Sequence, residues 1–457
     1  MIISLLVFSC KNGKDIESAT KSDLIRVRER GKIIAVTSES SINYFLYKGE
    51  PMGFQYELLK QFADYLGVKL EIKTCQNAQE QIELLKNGDC DLIADNLFQS
   101  KELFKEIDFS HQLYRSRLVI VQRNNSKPDN LKKSEYIRFP LKLGGKSIYV
   151  QKNSPDAGIL RQLSGKFSDS IKVLEVEKNE DYLIRMVSEG YIDYTVCDQQ
   201  IAKVFCGNLK NLDYRLTVSS RKPISWGVAK ESKDLLYKLN EWLDNTQKSG
   251  QVAILFQKYF QNEKTEKISK STLYTLTSGR VSVYDELIKE QSQKLKWDWR
   301  LLASLIYQES HFKHNVKSYA GAHGIMQLMP LTAEYYGVER NAGVGKNIKG
   351  GVKFLNYLDR QLLHRTANKE ERIKFVLAAY NIGLGHVLDA RRLARKHGKN
   401  PGIWDKNVRS FLIKESHSSY YKDPVVLFGY CNGLSACNYV DQVLERYHHY
   451  LNITNND

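Results

Sequence analysis

Residues 298–310 read DWRLLASLIYQES, and they set the helical character of the second half of the chain. Asp298 is a residue type that caps helix N-termini, because its side-chain oxygen accepts a hydrogen bond from a free backbone amide of the first turn. Leu302, Leu305 and Ile306 recur at the spacing of one helical face. The stretch therefore predicts an amphipathic helix that packs this face into a core.

Glu309 lies seven, four and three residues beyond these apolar side chains, so its carboxylate is expected at the edge of the apolar face. Partial burial disfavours the charged form and would raise the pKa from about 4.3 toward the ~6 range of general acids. A general acid of this kind can protonate the departing oxygen of a glycosidic bond. From the spacing alone, an ordinary and partly exposed glutamate at a helix end is the alternative.

The rest of the second half continues the helical pattern. Apolar residues recur at helical spacing within residues 348–362, residues 375–380 continue helically, and residues 387–396 stop just before Gly398, a residue type that ends helices. No convincing strand pattern occurs there. We therefore expect a mainly α-helical second domain.

The first half alternates short apolar strands with helices. Residues 32–36 and 68–72 have strand patterns, and residues 54–66 between them have a helical spacing that stops at Gly67. Further strand candidates are residues 118–121, 146–150 and 194–196. This alternation predicts an α/β domain whose sheets are buried on both faces.

At 457 residues the chain is long enough for several domains. We predict four segments: a targeting signal and tether at 1–24, the α/β domain at 25–262, a charged and hydroxyl-rich linker at 263–280, and the helical domain at 281–457. The architecture is therefore expected to be multidomain, with an α/β half followed by a helical half.

The composition is that of a globular protein with a basic charge. Lys and Arg number 68 against 52 Asp and Glu, which gives a net charge of +16. No apolar run reaches the ~18 residues of a bilayer-spanning helix. The charge favours a polyanionic neighbour or reflects a generally basic surface. Nucleic acid, bacterial wall polymers and lipid head groups are all anionic, so the charge alone does not choose among them; the charge is spread along the chain, and no nucleic-acid recognition motif occurs.

Cys10 follows the only stretch of the chain that resembles a targeting segment. Residues 7–10, Val-Phe-Ser-Cys, resemble a lipobox, and a polar tether follows, so we expect Cys10 to be lipidated and to anchor the protein to a membrane. The six other cysteines are Cys75, Cys90, Cys197, Cys206, Cys431 and Cys437. Their even number permits disulfides, and buried free thiols are the alternative. None has the CxxC spacing or nearby histidines of a zinc site, so no metal is expected.

Several phrases of the first half occur in a characteristic order. They are GDCDLI at residues 88–93, IDFS at 107–110, GYID at 190–193 and SWGVA at 225–229. Together they resemble the periplasmic amino-acid-binding proteins, which are bacterial extracellular solute-binding proteins of family 3. The resemblance implies two lobes around a ligand cleft, with an inserted lobe at about residues 125–220 and a hinge that closes on ligand.

Two positions of this cleft bear on its ligand. The family usually has an arginine five residues before the aspartate of the IDFS phrase, where the guanidinium clamps a ligand carboxylate. This chain has Leu103 there. Asp198 keeps a position that the family uses for the ligand amino group. We therefore expect a small ligand or muropeptide other than a free amino acid, or no ligand at all.

The neighbourhood of Glu309 belongs to a second ordered set of phrases. Glu309 and Ser310 are followed by SYAGAHGIMQLMP at residues 318–330, AAYNIG at 378–383 and Tyr-Val at 439–440. The set resembles the SLT domain, the lysozyme-like catalytic module of lytic transglycosylases. This resemblance implies an enzyme that acts on peptidoglycan glycan strands without a metal or an organic cofactor.

The resemblance also implies a role for individual residues. Glu309 matches the sole catalytic acid and base. The residues that match substrate-binding positions are Ser310, Met326, Gln327, Tyr380, Asn381 and Tyr439. Core packing is the alternative for Met326, and a locally satisfied buried hydroxyl is the alternative for Tyr380. The chain departs from the family near its end, where Asn432 and Ser435 replace the usual Arg and Glu.

In the implied reaction, Glu309 protonates the β-1,4 bond between N-acetylmuramic acid (MurNAc) and N-acetylglucosamine (GlcNAc). The ionised glutamate then takes the proton of the MurNAc C6 hydroxyl, which closes a 1,6-anhydro ring. A lysozyme-like muramidase that uses water is one alternative, and a solute receptor with an inactive helical domain is another. The expected location is the periplasmic side of the cell outer membrane, as a lipoprotein.

Overall fold

The computed structural model describes residues 23–124, 135–209, 211–262, 268, 271, 273–366 and 368–454. The chain divides into two compact units, one formed by Met1–Tyr44 and Met52–Ser269 and the other by Phe45–Pro51 and Lys270–Asp457. Cys10 lies outside the described residues. Within them, none of the helices combines the length and apolarity needed to cross a bilayer.

The first unit contains two β-sheets. The strands of its first sheet are β1 Lys32–Thr37, β4 Lys69–Thr74, β5 Leu92–Phe98, β6 Asp108–Phe109, β7 Tyr114–Ser116 and β13 Lys222–Val228. The strands of its second sheet are β8 Leu118–Arg123, β9 Ser147–Gln151, β10 Lys172–Val176, β11 Tyr194–Asp198 and β12 Leu212–Thr217. The first sheet has the order β4-β1-β5-β13-β6, with β7 also paired to β13, and the second has the order β10-β9-β11-β8-β12. The chain leaves the first sheet, builds the second, and returns as β13, so the second lobe is an insertion.

Helices cover these sheets. The α-helices of the first unit are Asp23–Arg30, Phe54–Leu66, Ala78–Lys86, Leu103–Glu106, Pro155–Ser164, Glu180–Glu189, Gln199–Asn208, Lys233–Lys248 and Gln251–Phe260, with a 3-10 turn at Pro140–Leu143. The helix Phe54–Leu66 buries Leu58, Leu59 and Phe62 and ends at Gly67, whose φ of 70° closes the last turn. The predicted α/β class of this half is confirmed.

The second unit is mainly helical, as predicted. Its α-helices are Thr275–Ser278, Asp285–Gln293, Trp299–Ser310, Pro330–Tyr335, Val344–Leu363, Lys369–Ile382, Leu384–Lys396, Arg409–Lys414, Ser418–Tyr421 and Gly433–Thr454, with a π turn at Trp404–Val408. The long C-terminal helix packs against Trp299–Ser310, where the Ser304 hydroxyl donates to the Val443 carbonyl at 2.5 Å. This pairing places the C-terminal residues beside Glu309.

A short hairpin from early in the chain belongs to the second unit, which the sequence did not indicate. Its strands are β2 Phe45–Tyr47 and β3 Glu50–Met52. Its turn approaches the helical core closely, since a Cβ on Gly49 would lie within 2.9 Å of side-chain atoms of Phe312, Tyr450 and Tyr307. The Tyr450 hydroxyl donates to the Gly49 carbonyl at 2.9 Å. Only glycine fits this contact.

The structure differs from the expected organisation at two further places. Strand β8 begins the inserted lobe a few residues before the expected residue 125. Tyr274, within the stretch expected to be a linker, is 3% exposed. It forms an isolated antiparallel bridge with Tyr47, and its ring packs against Phe45 with centroids 5.4 Å apart. All six described cysteines are buried and unpaired, so no disulfide forms among them.

Candidate active site

The helix Trp299–Ser310 positions Glu309 in its last turn. Asp298 is the N-cap, and its side chain accepts from the Arg300 amide. Leu302, Leu305 and Ile306 are fully buried, which turns one face of the helix into the core. Glu309 sits at the edge of that face and is partly exposed. The carboxyl group is therefore held on a rigid element at the boundary between core and solvent.

The environment of Glu309 favours its neutral form. Burial raises the pKa of Glu309 to about 7, and a hydrogen bond from Tyr439 offsets part of this effect. The Tyr439 hydroxyl donates to Glu309 Oε1 at 2.5 Å. The direction is the one expected from the sequence, and it leaves a carboxyl group that can both give and accept a proton near neutral pH.

An open cavity of about 590 Å³ lies over this carboxyl group. The lining residues are Gln308, Glu309, Asn381, Asn432, Leu434, Ser435, Asn438, Tyr439 and Gln442. Among these described lining residues Glu309 carries the only carboxyl group, and no histidine or cysteine accompanies it. The cavity thus combines one acid with many neutral hydrogen-bonding groups, which suits an uncharged polyhydroxylated substrate such as a sugar.

Several of the predicted site residues form hydrogen bonds that hold the loop around Met326 next to the helix of Glu309. The Ser310 hydroxyl donates to the Ile325 carbonyl at 2.7 Å, and the Tyr380 hydroxyl donates to the Met326 carbonyl at 2.6 Å. The Met326 amide donates to Asn347 Oδ1 at 2.9 Å. Met326 itself is fully buried. These bonds fix the turn that contains Met326 against the C-terminal end of the helix Trp299–Ser310.

Gln327 and Asn381 have different placements. Gln327 adopts a φ of 48°, and its side-chain amide donates to the Val316 and Gly324 carbonyls at 2.9 and 2.8 Å. It therefore braces the loop in this structure. Asn381 is exposed and lines the cavity.

Family models match both halves of the chain. One described as bacterial extracellular solute-binding proteins, family 3, matches residues 33–262, and one described as Transglycosylase SLT domain matches residues 286–403. A protein of Desulfosudis oleivorans named membrane-bound lytic murein transglycosylase F is 30% identical over 93% of this chain and 91% of its own. A protein of the same name from Pseudomonas fluorescens is 33% identical over 93% of this chain and 85% of its own. The chain belongs to the membrane-bound lytic murein transglycosylase F family.

Among solved structures, an ancestral arginine-binding protein bound to arginine covers 50% of this chain and 99% of its own at 23% identity, with a TM-score of 0.45. In the first unit of this chain, Asp198 ends β11 and caps the helix Gln199–Asn208, accepting a hydrogen bond from the Gln200 amide at 2.7 Å. Burial raises the pKa of Asp198 to about 6. Asp198 lines a small cavity of about 100 Å³.

Several residues that line the cavity over Glu309 were not among the predicted site residues. Gln308 precedes the acid, and Asn438 and Gln442 come from the C-terminal helix. Ser435, Asn438 and Gln442 recur three and four residues apart, which puts them on one helical face. This row of polar side chains on one face of the C-terminal helix was the sequence pattern that could have predicted a cavity there. Gln308 and Gln442 also bond each other at 2.7 Å, which ties the two helices together beside the acid.

Proposed function

We propose that this protein is a peptidoglycan lytic transglycosylase in which Glu309 is the single acid and base. One observation carries the proposal: a largely buried carboxyl group with a pKa near 7 borders an open cavity in which no other described lining residue has a carboxyl group. Two-carboxylate glycosidases use the second group as nucleophile or to activate water. A site with one acid suits a reaction that needs neither.

Glu309 begins the cycle protonated and gives its proton to the oxygen that leaves between MurNAc and GlcNAc. The substrate's own acetamido oxygen stabilises the cationic carbon. Because the Tyr439 hydroxyl donates to Oε1, the transferable proton belongs on Oε2. The carboxylate then accepts the proton of the C6 hydroxyl as the 1,6-anhydro ring closes, which restores the neutral acid without consuming water.

The test compares Glu309→Gln with a matched control on purified peptidoglycan. The control is Glu290→Gln, since Glu290 lies on another helix of the same unit with its side chain 64% exposed. Mass spectrometry should detect anhydro ends from the native protein and from the control, and none from Glu309→Gln. Anhydro ends from the Glu309→Gln protein would overturn the assignment, and reducing ends from the native protein would favour the muramidase.

We also propose that the protein is a lipoprotein of the outer membrane that faces the periplasm, anchored through Cys10. The relatives are named membrane-bound, and a net charge of +16 suits anionic lipids and wall polymers. Metabolic labelling with a fatty acid should mark the native protein. Cys10→Ala should lose the label and move to the soluble fraction, and an unchanged label would refute the anchor.

A second function is supported by the charges of the cleft in the first unit. Six acidic side chains line its cavity: Glu39, Asp95, Asp156, Glu180, Asp181 and Asp198. Lys152 is the only cation among the described lining residues, and its Nζ pairs with Glu177 at 2.6 Å. We infer that the cleft binds a small ligand with one or more ammonium groups, which includes the amine of a muropeptide.

The arrangement of three of these acids supports a cationic ligand. Burial and the neighbouring carboxylates raise the pKa values of Asp156 and Glu180, and burial raises that of Asp198. One oxygen of Glu180 is buried without a hydrogen-bond partner among the described residues. A bound ammonium would satisfy this oxygen and relieve the repulsion.

Ligand binding in this cleft is proposed to alter the activity of the second unit. Asn43 lines the cavity, and Phe45–Pro51, which starts two residues later, belongs to the second unit. Calorimetry with a diamine, a muropeptide and glutamate should give binding of the first two only. Asp198→Asn should weaken that binding and remove any effect of the ligand on product formation. Equal binding of glutamate would contradict the proposal that the cleft selects a positively charged ligand.

A further inference from the structure

Three side chains of the second unit bring metal-ligand atoms together away from the cavity over Glu309. His386 lies in the helix Leu384–Lys396, Glu415 directly follows the helix Arg409–Lys414, and Cys431 precedes the C-terminal helix. One ligand atom from each lies within 4.8 Å of the other two. His386 Nδ1 is 3.6 Å from Glu415 Oε2, and Cys431 Sγ is 3.3 Å from the same oxygen.

These groups are buried and incompletely satisfied. Glu415 is fully buried and Cys431 is 4% exposed. Glu415 Oε1 and His386 Nδ1 have no hydrogen-bond partner among the described residues. An isolated buried carboxylate is strongly unfavourable unless a cation or several donors face it. A cation bound beside the thiol would satisfy these two atoms.

The backbone holds the three segments at this separation. A Cβ on Gly385 would lie 2.5 Å from the Phe428 ring, and a Cβ on Gly433 would lie 1.7 Å from the Leu412 carbonyl oxygen. Each glycine therefore permits a close approach next to a ligand residue. The cluster is preorganised by backbone packing and not only by its own side chains.

We propose that His386, Glu415 and Cys431 bind one divalent transition-metal ion of the zinc type. Imidazole nitrogen, carboxylate oxygen and thiolate sulfur are the zinc donors of proteins, at bond lengths of about 2.0–2.3 Å. Tetrahedral coordination at such lengths separates donor atoms by ~3.3–3.8 Å, which matches the two distances above. The His386 side chain is 21% exposed, so a water molecule can complete the fourth position from its side.

Binding requires proton release but no redox change. When the metal binds, the Cys431 thiol and the protonated Glu415 carboxyl group each lose a proton to solvent, so sulfur binds as a thiolate and Glu415 as a carboxylate. Burial without a cation raises the pKa of Glu415 to about 8 and that of the Cys431 thiol as well, so the metal reverses both effects. The metal-free alternative is a thiol that donates to Glu415 Oε2, and it leaves Nδ1 and Oε1 unsatisfied.

The ion would connect three helical segments around the start of the C-terminal helix, which carries Tyr439 eight residues after Cys431. Its expected role is to stabilise this part of the second unit, since its ligands do not line the cavity over Glu309. Measurements of metal content and of metal-dependent stability therefore test the proposed metal site independently of enzymatic activity.

The experiment uses the full chain without a histidine tag, incubated with zinc chloride and desalted before elemental analysis. The native protein should retain one zinc per chain, and Cys431→Ser and Glu415→Gln should retain none. Cys437→Ser is the matched control, because Cys437 is equally buried and its thiol donates to the Arg409 carbonyl instead. Native protein that retains no more zinc than Cys431→Ser, or a control that loses zinc equally, overturns the proposal.

Two further readouts keep the test decisive if a variant folds poorly. Cobalt(II) should give a thiolate charge-transfer band with the native protein and with Cys437→Ser. Zinc should raise the thermal midpoint of those two proteins and leave that of His386→Gln, a replacement at the most exposed ligand, unchanged. No cobalt band in the native protein, or an equal zinc effect on His386→Gln, refutes the site.

Discussion

Removal of the Tyr439 hydroxyl should change how the enzyme responds to pH. The hydroxyl donates to Glu309 Oε1 at 2.5 Å and stabilises the ionised form. A hydrogen bond to a charged group contributes about 1.5–3 kcal/mol. At about 1.4 kcal/mol per pKa unit, Tyr439→Phe should raise the pKa of Glu309 by about one to two units. The acid must be protonated to start the reaction, so activity is present below this pKa and is lost above it.

The assay is the pH dependence of kcat/KM for release of anhydro fragments from soluble glycan strands. For the native protein, kcat/KM should fall as the pH rises through about 7. For Tyr439→Phe, the same fall in kcat/KM should occur about one to two pH units higher. The plateau should drop by about tenfold to a hundredfold, because the carboxylate formed by proton transfer is less stabilised. Tyr380→Phe is the control, since that hydroxyl donates to the Met326 carbonyl, and its kcat/KM should fall at the same pH as that of the native protein. A fall in kcat/KM at the native pH or at a lower pH in Tyr439→Phe would refute this reasoning.

Three further predictions concern stability. Asp298→Ala removes the N-cap of the helix that carries Glu309 and should lower the free energy of unfolding by about 1 kcal/mol in chemical denaturation. Gly351→Ala should lower the free energy of unfolding by about 1–3 kcal/mol, because a Cβ there would lie 2.3 Å from Met326 Sδ. Gly345→Ala is the control: Gly345 lies on the same helix with open space around it, so this substitution should be neutral or stabilising. Burial and Asp198 raise the pKa of Asp156 from 3.8 to about 7, so the folded state binds more protons than the unfolded one and stability falls as the pH rises between those values. Asp156→Asn should therefore raise the thermal midpoint at about pH 8 and change little at about pH 4, and an equal effect at both would contradict the shift.

Local patterns predicted much of the fold. The helix Phe54–Leu66 and its stop at Gly67 follow from apolar spacing and one residue that tolerates positive φ. The helix Trp299–Ser310 follows from its cap and its apolar stripe, and the same spacing put Glu309 at the edge of the core. These features depend on residues within one or two turns of each other.

Features that depend on distant contacts were not predictable. Nothing in Phe45–Pro51 indicates that it leaves the α/β unit, because the aromatic contacts that hold it come from Tyr307, Phe312 and Tyr450. His386, Glu415 and Cys431 are each 16 or more residues apart, and their spacing matches no common zinc motif, so only the fold reveals the cluster. The phrase around residue 326 predicted substrate-binding positions, but Met326 is buried, the Gln327 side chain bonds within its own loop, and neither lines the cavity over Glu309.

In the proposed reaction one carboxyl group, that of Glu309, both gives and retrieves a proton while no water is consumed. Digestion of peptidoglycan in water enriched in heavy oxygen tests it most directly. We expect anhydro-muramyl ends that carry no heavy oxygen, and no such ends with Glu309→Gln. Heavy oxygen at the newly formed muramyl ends would show that water attacks the glycosidic carbon, which contradicts this mechanism.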